Sequence, residues 1–159
     1  MTSISVLPLK DEDREWAAGL ISRQWGARMI ISKGKVTIHT LCRGLSWSRE
    51  ERVGLATYNF EGKDCELVTI QSVRDSEGIG SALLSAVRGA AELAGCRRIW
   101  LITTNDNLRA LGFYQKRGMS LVAVYRNAME AARRLKPQIP QIGQNGIPIR
   151  DEIELEITL

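Results

Sequence analysis

The sequence has a single histidine, His39, and only three cysteines, Cys42, Cys65 and Cys96. The cysteines follow no metal-ligand spacing and an odd number cannot all pair. That excludes a zinc cluster or a disulfide framework, and it points to a reduced, cytoplasmic setting with no bound metal. With no His/Asp partner set in view, Cys65 lacks the activation a covalent nucleophile needs, and His39 suits an ordinary strand position. Long apolar runs are also absent: charge interrupts each one before membrane-spanning length, so no transmembrane helix is expected. The N-terminal stretch MTSISVLPLKDEDREW lacks the basic start and apolar core of a secretory signal. No internal repeat, low-complexity tract or long linker interrupts the chain.

The rest is ordinary for a globular protein: 159 residues, 44% hydrophobic and 25% charged, enough for one domain over 1–159 with an enclosed core. Net charge is +4. A basic domain attracts phosphate, whether in nucleic acid or in a polyphosphate cofactor. Here acidic residues are interleaved almost everywhere and only Arg97-Arg98, Lys116-Arg117 and Arg133-Arg134 cluster, so nucleic acid is not expected as a partner.

Trp16, Leu20, Ile21 and Trp25 recur at helical spacing behind Asp11 and Asp13, which predicts a helix over 11–24 ending near Gly26. Short strands are expected at 28–32 and 36–41, and a hairpin over 52–60 and 64–72 turning at Glu61-Gly62-Lys63. The stretch 42–50 reads as a loop. Then the period changes: Ile79, Leu83, Leu84, Val87, Ala91 and Ala94 predict a helix closed by Gly95. RIWLITT, from Arg98, reads as a strand buried on both faces, followed by a helix over about 107–117, a strand over 119–125 and a helix over 127–135. Pro137, Pro140, Gly143, Gly146 and Pro148 mark a loop-rich insertion over about 127–150, and EIELEITL alternates as the last strand. This order implies a mixed α/β sandwich rather than a doubly wound parallel fold.

The turn Glu77-Gly78-Ile79-Gly80-Ser81 joins a strand to a helix start. A helix start offers unpaired backbone N–H groups and a partial positive charge, which together suit phosphate or pyrophosphate. No lysine follows Gly80, so the turn is not a P-loop. Leu83 fills the place of the dinucleotide fingerprint's third glycine. Two readings remain open on this segment alone: a phosphate cradle, or a core helix capped by Ser76 with Asp75 and Glu77 offsetting its dipole. Further on, Asn107, Ala110 and Tyr114 fall within one stripe of a helix.

Taken together, EGIGSALL and the segment running from Asn107 through Ala110, Phe113 and Tyr114 to Gly118-Met119 resemble the GNAT superfamily of N-acetyltransferases. The resemblance covers about residues 11–125 in element order. It implies a GNAT fold: a mixed, mostly antiparallel sheet of about six to seven strands, flanked by helices and splayed at the coenzyme A site. It also implies acetyl-CoA as cosubstrate and direct attack of a primary amine, on a small molecule or a peptide, on the thioester in a ternary complex. Gly78, Ile79, Gly80 and Ser81 would then hold the pyrophosphate, the backbone of Ile70, Gln71 and Ser72 the pantetheine arm, and Asn107 the cofactor's other side. One departure is Asp75, which stands where the family usually has Gln or Arg. It leaves open a non-catalytic CoA-binding regulatory module of the same fold. The resemblance also allows a homodimer.

Two proton transfers need groups. A lysine-like amine of pKa about 10.4 is neutral in only about one molecule in 2,500 at pH 7, a handicap of about 4.6 kcal/mol that a general base relieves in part. Strict alternation places Asp64, Glu66, Val68 and Ile70 on one strand face, making Glu66 the candidate base and Asp64 the second choice. Tyr114 matches the family tyrosine that protonates the leaving thiolate. Trp47 and Tyr125 are candidates for lining the acceptor cleft.

Overall fold

A computed structural model of the protein describes residues 5–25, 29–33, 35–38, 43–48, 52–74 and 78–159. Strand β1 (Ser5–Pro8) leads through a short 3-10 turn into helix α1 (Arg14–Trp25). The Asp13 carboxylate accepts the Lys10 backbone N–H at 3.0 Å and pairs with Arg52, which fastens the helix entry to the sheet. Strands β2 (Met29–Ser32) and β3 (Lys35–Ile38) form a separate antiparallel hairpin. Strand β4 (Arg43–Ser48) occupies most of the stretch expected to be a loop. Its residues pair along both edges, with β1 and β5, and these long-range hydrogen bonds override the weak local alternation of Arg-Gly-Leu-Ser-Trp-Ser.

Strands β5 (Arg52–Glu61) and β6 (Asp64–Ser72) are the expected hairpin, and Gly62 turns it at φ +58°. Then follow helix α2 (Ile79–Leu93), strand β7 (Arg98–Thr104), helix α3 (Leu108–Lys116), strand β8 (Ser120–Tyr125), helix α4 (Ala128–Leu135) and strand β9 (Glu152–Thr158). The central sheet has seven strands in the order β1-β4-β5-β6-β7-β9-β8, antiparallel throughout except for β6 against β7. The α/β fold expected from the sequence is therefore present, with a two-stranded hairpin in addition.

Helix α2 buries the stripe Ile79, Leu83, Val87 and Ala91 against the sheet. A Cβ on Gly54 of β5 would lie 2.5 Å from Ile79 Cγ2, so the glycine lets the start of α2 sit directly on the strand. The helix ends in a Schellman motif: Gly95 stands at φ +75°, its N–H donates to Glu92 O at 3.0 Å, and Cys96 N–H donates to Ala91 O at 2.9 Å. Cys65, Leu67, Ile99, Leu101, Tyr114 and Leu155 pack with α2 in the main core. A smaller cluster of Ala17, Ile21 and Leu55 seats α1 on the opposite face.

The insertion over 127–150 is a helix followed by a tethered loop. Asn105 donates through Nδ2 to Pro148 O at 2.9 Å, and its Oδ1 accepts the Arg150 and Asp151 N–H groups at 3.0 and 2.9 Å. Buried Asp106 accepts Gln144 N–H at 2.9 Å. These two residues fold the segment back onto the turn between β7 and α3.

Candidate active site

The parallel pair β6/β7 is hydrogen-bonded only from Asp64–Glu66 to Arg98–Trp100. Beyond the Glu66/Trp100 step the strands part, and the facing backbones of 67–72 and 101–104 have no partner in each other. The gap opens toward the start of α2 on one strand and the start of α3 on the other.

A bulge corrects the strict alternation assumed for β6. Thr57 pairs with Thr69 but Tyr58 pairs with Leu67, so Val68 is an extra residue. Before it, Cys65 and Leu67 face the main core; after it, Ile70 does. Glu66 therefore shares the α1 face with Thr69 and Gln71, not with Ile70. The Thr57 and Thr69 hydroxyls bond at 2.7 Å on that face. Glu66 is buried at 2% exposure, and its parallel partner Trp100 is buried beside it. Asp64, by contrast, is held by Arg97 at 2.8 Å and Arg98 at 3.0 Å, which keep its carboxyl below the usual range. It lies at the closed end of the strand pair, engaged in ion pairs. The Cys65 thiol is fully buried and its pKa is pushed up to about 12, chiefly by burial, which removes it as a nucleophile.

At the open end, Gly78 caps α2 in the left-handed region at φ +74°, with open space around it. Gly80 also serves helix packing. A Cβ there would lie 3.0 Å from the Phe113 ring, so its absence lets α3 pack against the first turn of α2. Ser81 accepts a hydrogen bond from Arg117 Nε at 2.8 Å, and the Arg117 guanidinium stacks 3.6 Å from the Phe113 ring centre. Arg117 thus brings a positive charge to the start of α2. The sequence showed it only as half of a basic pair. Asp75 and Glu77 lie outside the described residues, as does His39.

Asn107 is the N-cap of α3. Its Oδ1 accepts Ala110 N–H at 3.3 Å and its Nδ2 donates to Thr103 Oγ1 at 3.2 Å, tying the helix to the open end of β7. Tyr114, 7% exposed, meets Phe113 edge-on at 5.1 Å, and burial raises its phenol pKa well above the usual value. It packs in the main core on the α2/α3 side of the sheet, the face opposite Glu66. The buried Gln71 amide, on the open stretch of β6, has no hydrogen-bond partner at either Oε1 or Nε2. Such a group fits a partner brought in by a ligand.

The α1 face of the sheet holds residues that no sequence motif singled out. Clean alternation along β9 turns Ile153, Leu155 and Ile157 to the core and Glu152, Glu154 and Glu156 to the α1 face. Glu152 and Glu154 are 1% and 3% exposed. Burial raises the Glu152 pKa. For Glu154 burial pushes the same way, but hydrogen bonds from Lys33 and Tyr125 outweigh it and the net shift is downward. Tyr125 donates to Glu154 Oε1 at 3.0 Å, so it lies on this face beside the β9 carboxylates. Trp47 lies on β4, and its side chain is outside the described residues.

Comparison with known proteins agrees with this geometry. The family profile described as Acetyltransferase (GNAT) family matches residues 36–119. The chain belongs to the GNAT acetyltransferase family. It is 44% identical to the uncharacterized protein YdhI of Bacillus subtilis (strain 168) over 151 residues, covering 93% of this chain and 94% of the relative. The protein YxbD of the same organism is 40% identical over 154 residues, covering 96% and 97%. Among solved structures, an IAA acetyltransferase from Bacillus cereus ATCC 14579 superposes with a TM-score of 0.75 at 19% identity, covering 99% of this chain and all (100%) of the other. A GNAT family acetyltransferase from Elizabethkingia anophelis with acetyl-CoA bound gives 0.72 at 20% identity, covering 100% of both chains. At these identities the superpositions establish the fold, and the parted β6/β7 pair is the GNAT splay that the sequence implied. Among the described residues no helix is long and apolar enough to cross a membrane.

Proposed function

We propose that this GNAT protein is an acetyl-CoA-dependent N-acetyltransferase acting on a primary amine by direct attack in a ternary complex. The observation that carries this reading is the gap past Glu66 and Trp100, with Glu66 buried on one face and Tyr114 on the other. A solved relative in fold has acetyl-CoA bound, which supports acetyl-CoA as the cosubstrate here.

In this reading the pyrophosphate lies at the N–H groups of Gly78–Ser81 with Arg117 beside it, and the pantetheine arm runs along the backbone of Ile70, Gln71 and Ser72. Asn107 orients the opposite wall. A β6 backbone N–H polarises the thioester carbonyl as negative charge develops on its oxygen. The neutral amine attacks the carbonyl carbon. The C–N bond forms, the C–S bond breaks, the surplus amine proton passes to Glu66 directly or through water, and Tyr114 protonates the departing thiolate. Because burial raises the Tyr114 pKa, the phenol still carries its proton when the thiolate forms.

A homodimer is supported by edge strand β8, where Leu121, Val122 and Val124 are exposed. The free, buried thiols of Cys65 and Cys96 support a reducing, cytoplasmic location.

The deciding measurement is CoA release from acetyl-CoA over a panel of amines, with Tyr114→Phe alongside. Turnover that drops about 10²-fold or more in the variant is expected. Tight acetyl-CoA binding, no turnover on any amine and no effect of Tyr114→Phe would instead establish the non-catalytic CoA-binding module.

A further inference from the structure

Lys33 stands at the tip of the β2/β3 hairpin at φ +51°, yet its side chain is seated in the C-terminal half of the sheet. Its Nζ lies 2.7 Å from Glu154 Oε1, 4.9 Å from the Trp100 ring centre and 5.3 Å from the Tyr125 ring centre. Its backbone N–H donates to Glu152 Oε2 at 2.8 Å. One carboxylate and two aromatic faces make a seat for an ammonium ion.

The seat belongs to the seven-stranded sheet, whereas its occupant is carried by a hairpin outside that sheet. The Glu154 side chain is 4% exposed and that of Lys33 is 36% exposed, so the cation enters from the solvent side. Other nearby bases are largely engaged elsewhere: Arg97 with Asp64, and Arg98 with Asp64 and Glu156, leaving only a 3.5 Å approach of Arg98 to Glu154. The seat also adjoins the reaction point. Trp100 pairs with Glu66 at the apex of the gap, so its ring is a wall common to both.

Resting on the acetyltransferase reading, we propose that Trp100, Tyr125, Glu152 and Glu154 form a subsite for a second ammonium of the acceptor. The acceptor is then an aliphatic diamine or polyamine, and Lys33 fills the subsite until the acceptor displaces it. Lys33 itself shows the fit: its stem is a four-carbon chain ending in an ammonium, the same unit as an aminobutyl group. With one end of a diamine anchored at Glu154, the other end, as free amine, reaches toward Glu66.

The test compares putrescine with n-butylamine, which lacks the second cation, and with γ-aminobutyrate, which replaces it by a carboxylate. CoA release should favour putrescine over butylamine by about tenfold or more in kcat/KM, with γ-aminobutyrate poorest. Glu154→Gln should bring the putrescine/butylamine ratio toward one, mainly through KM for putrescine. Lys33→Met should raise kcat/KM for putrescine severalfold, because an internal competitor is gone. Equal use of butylamine, preference for γ-aminobutyrate, or an unchanged ratio in Glu154→Gln overturns the subsite.

Calorimetric titration of putrescine into the CoA-saturated protein tests the subsite without turnover. Binding that tightens in Lys33→Met and weakens in Glu154→Gln supports it, and absence of binding in both the parent and Lys33→Met overturns it. Putrescine binding without CoA release from any amine would instead count against the acetyltransferase reading, leaving the subsite standing.

Discussion

Glu66 and Trp100 face each other across the last hydrogen-bonded step between β6 and β7, and both side chains lie on the α1 face. From this step one strand leads to the glycine turn and the other to Asn107. A carboxylate, an indole and the start of the opening between the strands therefore meet at one register position. Several consequences can be measured.

Replacing Glu66 with Gln keeps the shape and removes the proposed base. We expect kcat/KM to fall about 10²-fold or more near neutral pH. The deficit should shrink as pH rises toward the acceptor's own pKa, because a growing fraction of the amine then arrives already neutral. A pH–rate profile of both proteins reads this, and a deficit independent of pH would remove Glu66 from the base role.

Gly80→Ala places a methyl group 3.0 Å from the Phe113 ring. Either α3 or the first turn of α2 must shift, so a loss of about 1–3 kcal/mol in stability is expected, with a raised KM for acetyl-CoA. The double variant with Phe113→Leu should recover part of both losses. If Gly80→Ala raised KM without lowering stability, the methyl group would be acting on the cofactor and not on α3.

Gln71→Leu removes a buried amide that has no partner within the protein. An unsatisfied buried polar group costs about 1–3 kcal/mol, so the ligand-free variant should melt at a higher temperature. Acetyl-CoA or acceptor binding should weaken at the same time. A thermal melt alongside a titration reports both, and a lower melting temperature would contradict the idea that this amide waits for a ligand.

Asp64 contributes a pH-dependent share of stability. Its folded pKa is depressed by Arg97 and Arg98, so its contribution is complete above the unfolded value of about 3.9 and lost as pH falls through the folded value. Asp64→Asn should therefore narrow the stability difference between neutral and acid pH. Parallel denaturant titrations at the two pH values would show the change, and an unaltered pH dependence would refute it.

Much of this organisation could be read from the residues. The β5/β6 hairpin, the α2 stripe from Ile79, RIWLITT and the alternation of EIELEITL each carry a periodicity that local sequence preserves. The proposed site residues Gly78–Ser81, Glu66 and Tyr114 could be singled out because they combine an unusual type with a defined offset. Strand β4 was not, because Gly44, Ser46 and Ser48 give no apolar period and its structure comes from two neighbouring strands. The Lys33 seat joins residues 121 positions apart, and no local pattern announces such a contact. Arg117 was visible only as a charge, since its meaning depends on where Phe113 and Ser81 come together.

The extra residue Val68 has one more effect. It changes the parity of β6: core-facing positions are odd-numbered before it and even-numbered after it. Glu66 near the closed end and Gln71 near the open end can thus serve one face although their numbers differ by an odd count. Deleting Val68 would remove the bulge and leave a regular register, with Cys65, Leu67 and Ile70 still toward the core and Glu66, Thr69 and Gln71 still opposite. What the bulge supplies is the path of the strand: straightened, β6 would keep its wet and dry faces but lose the local bend and added twist just where it parts from β7.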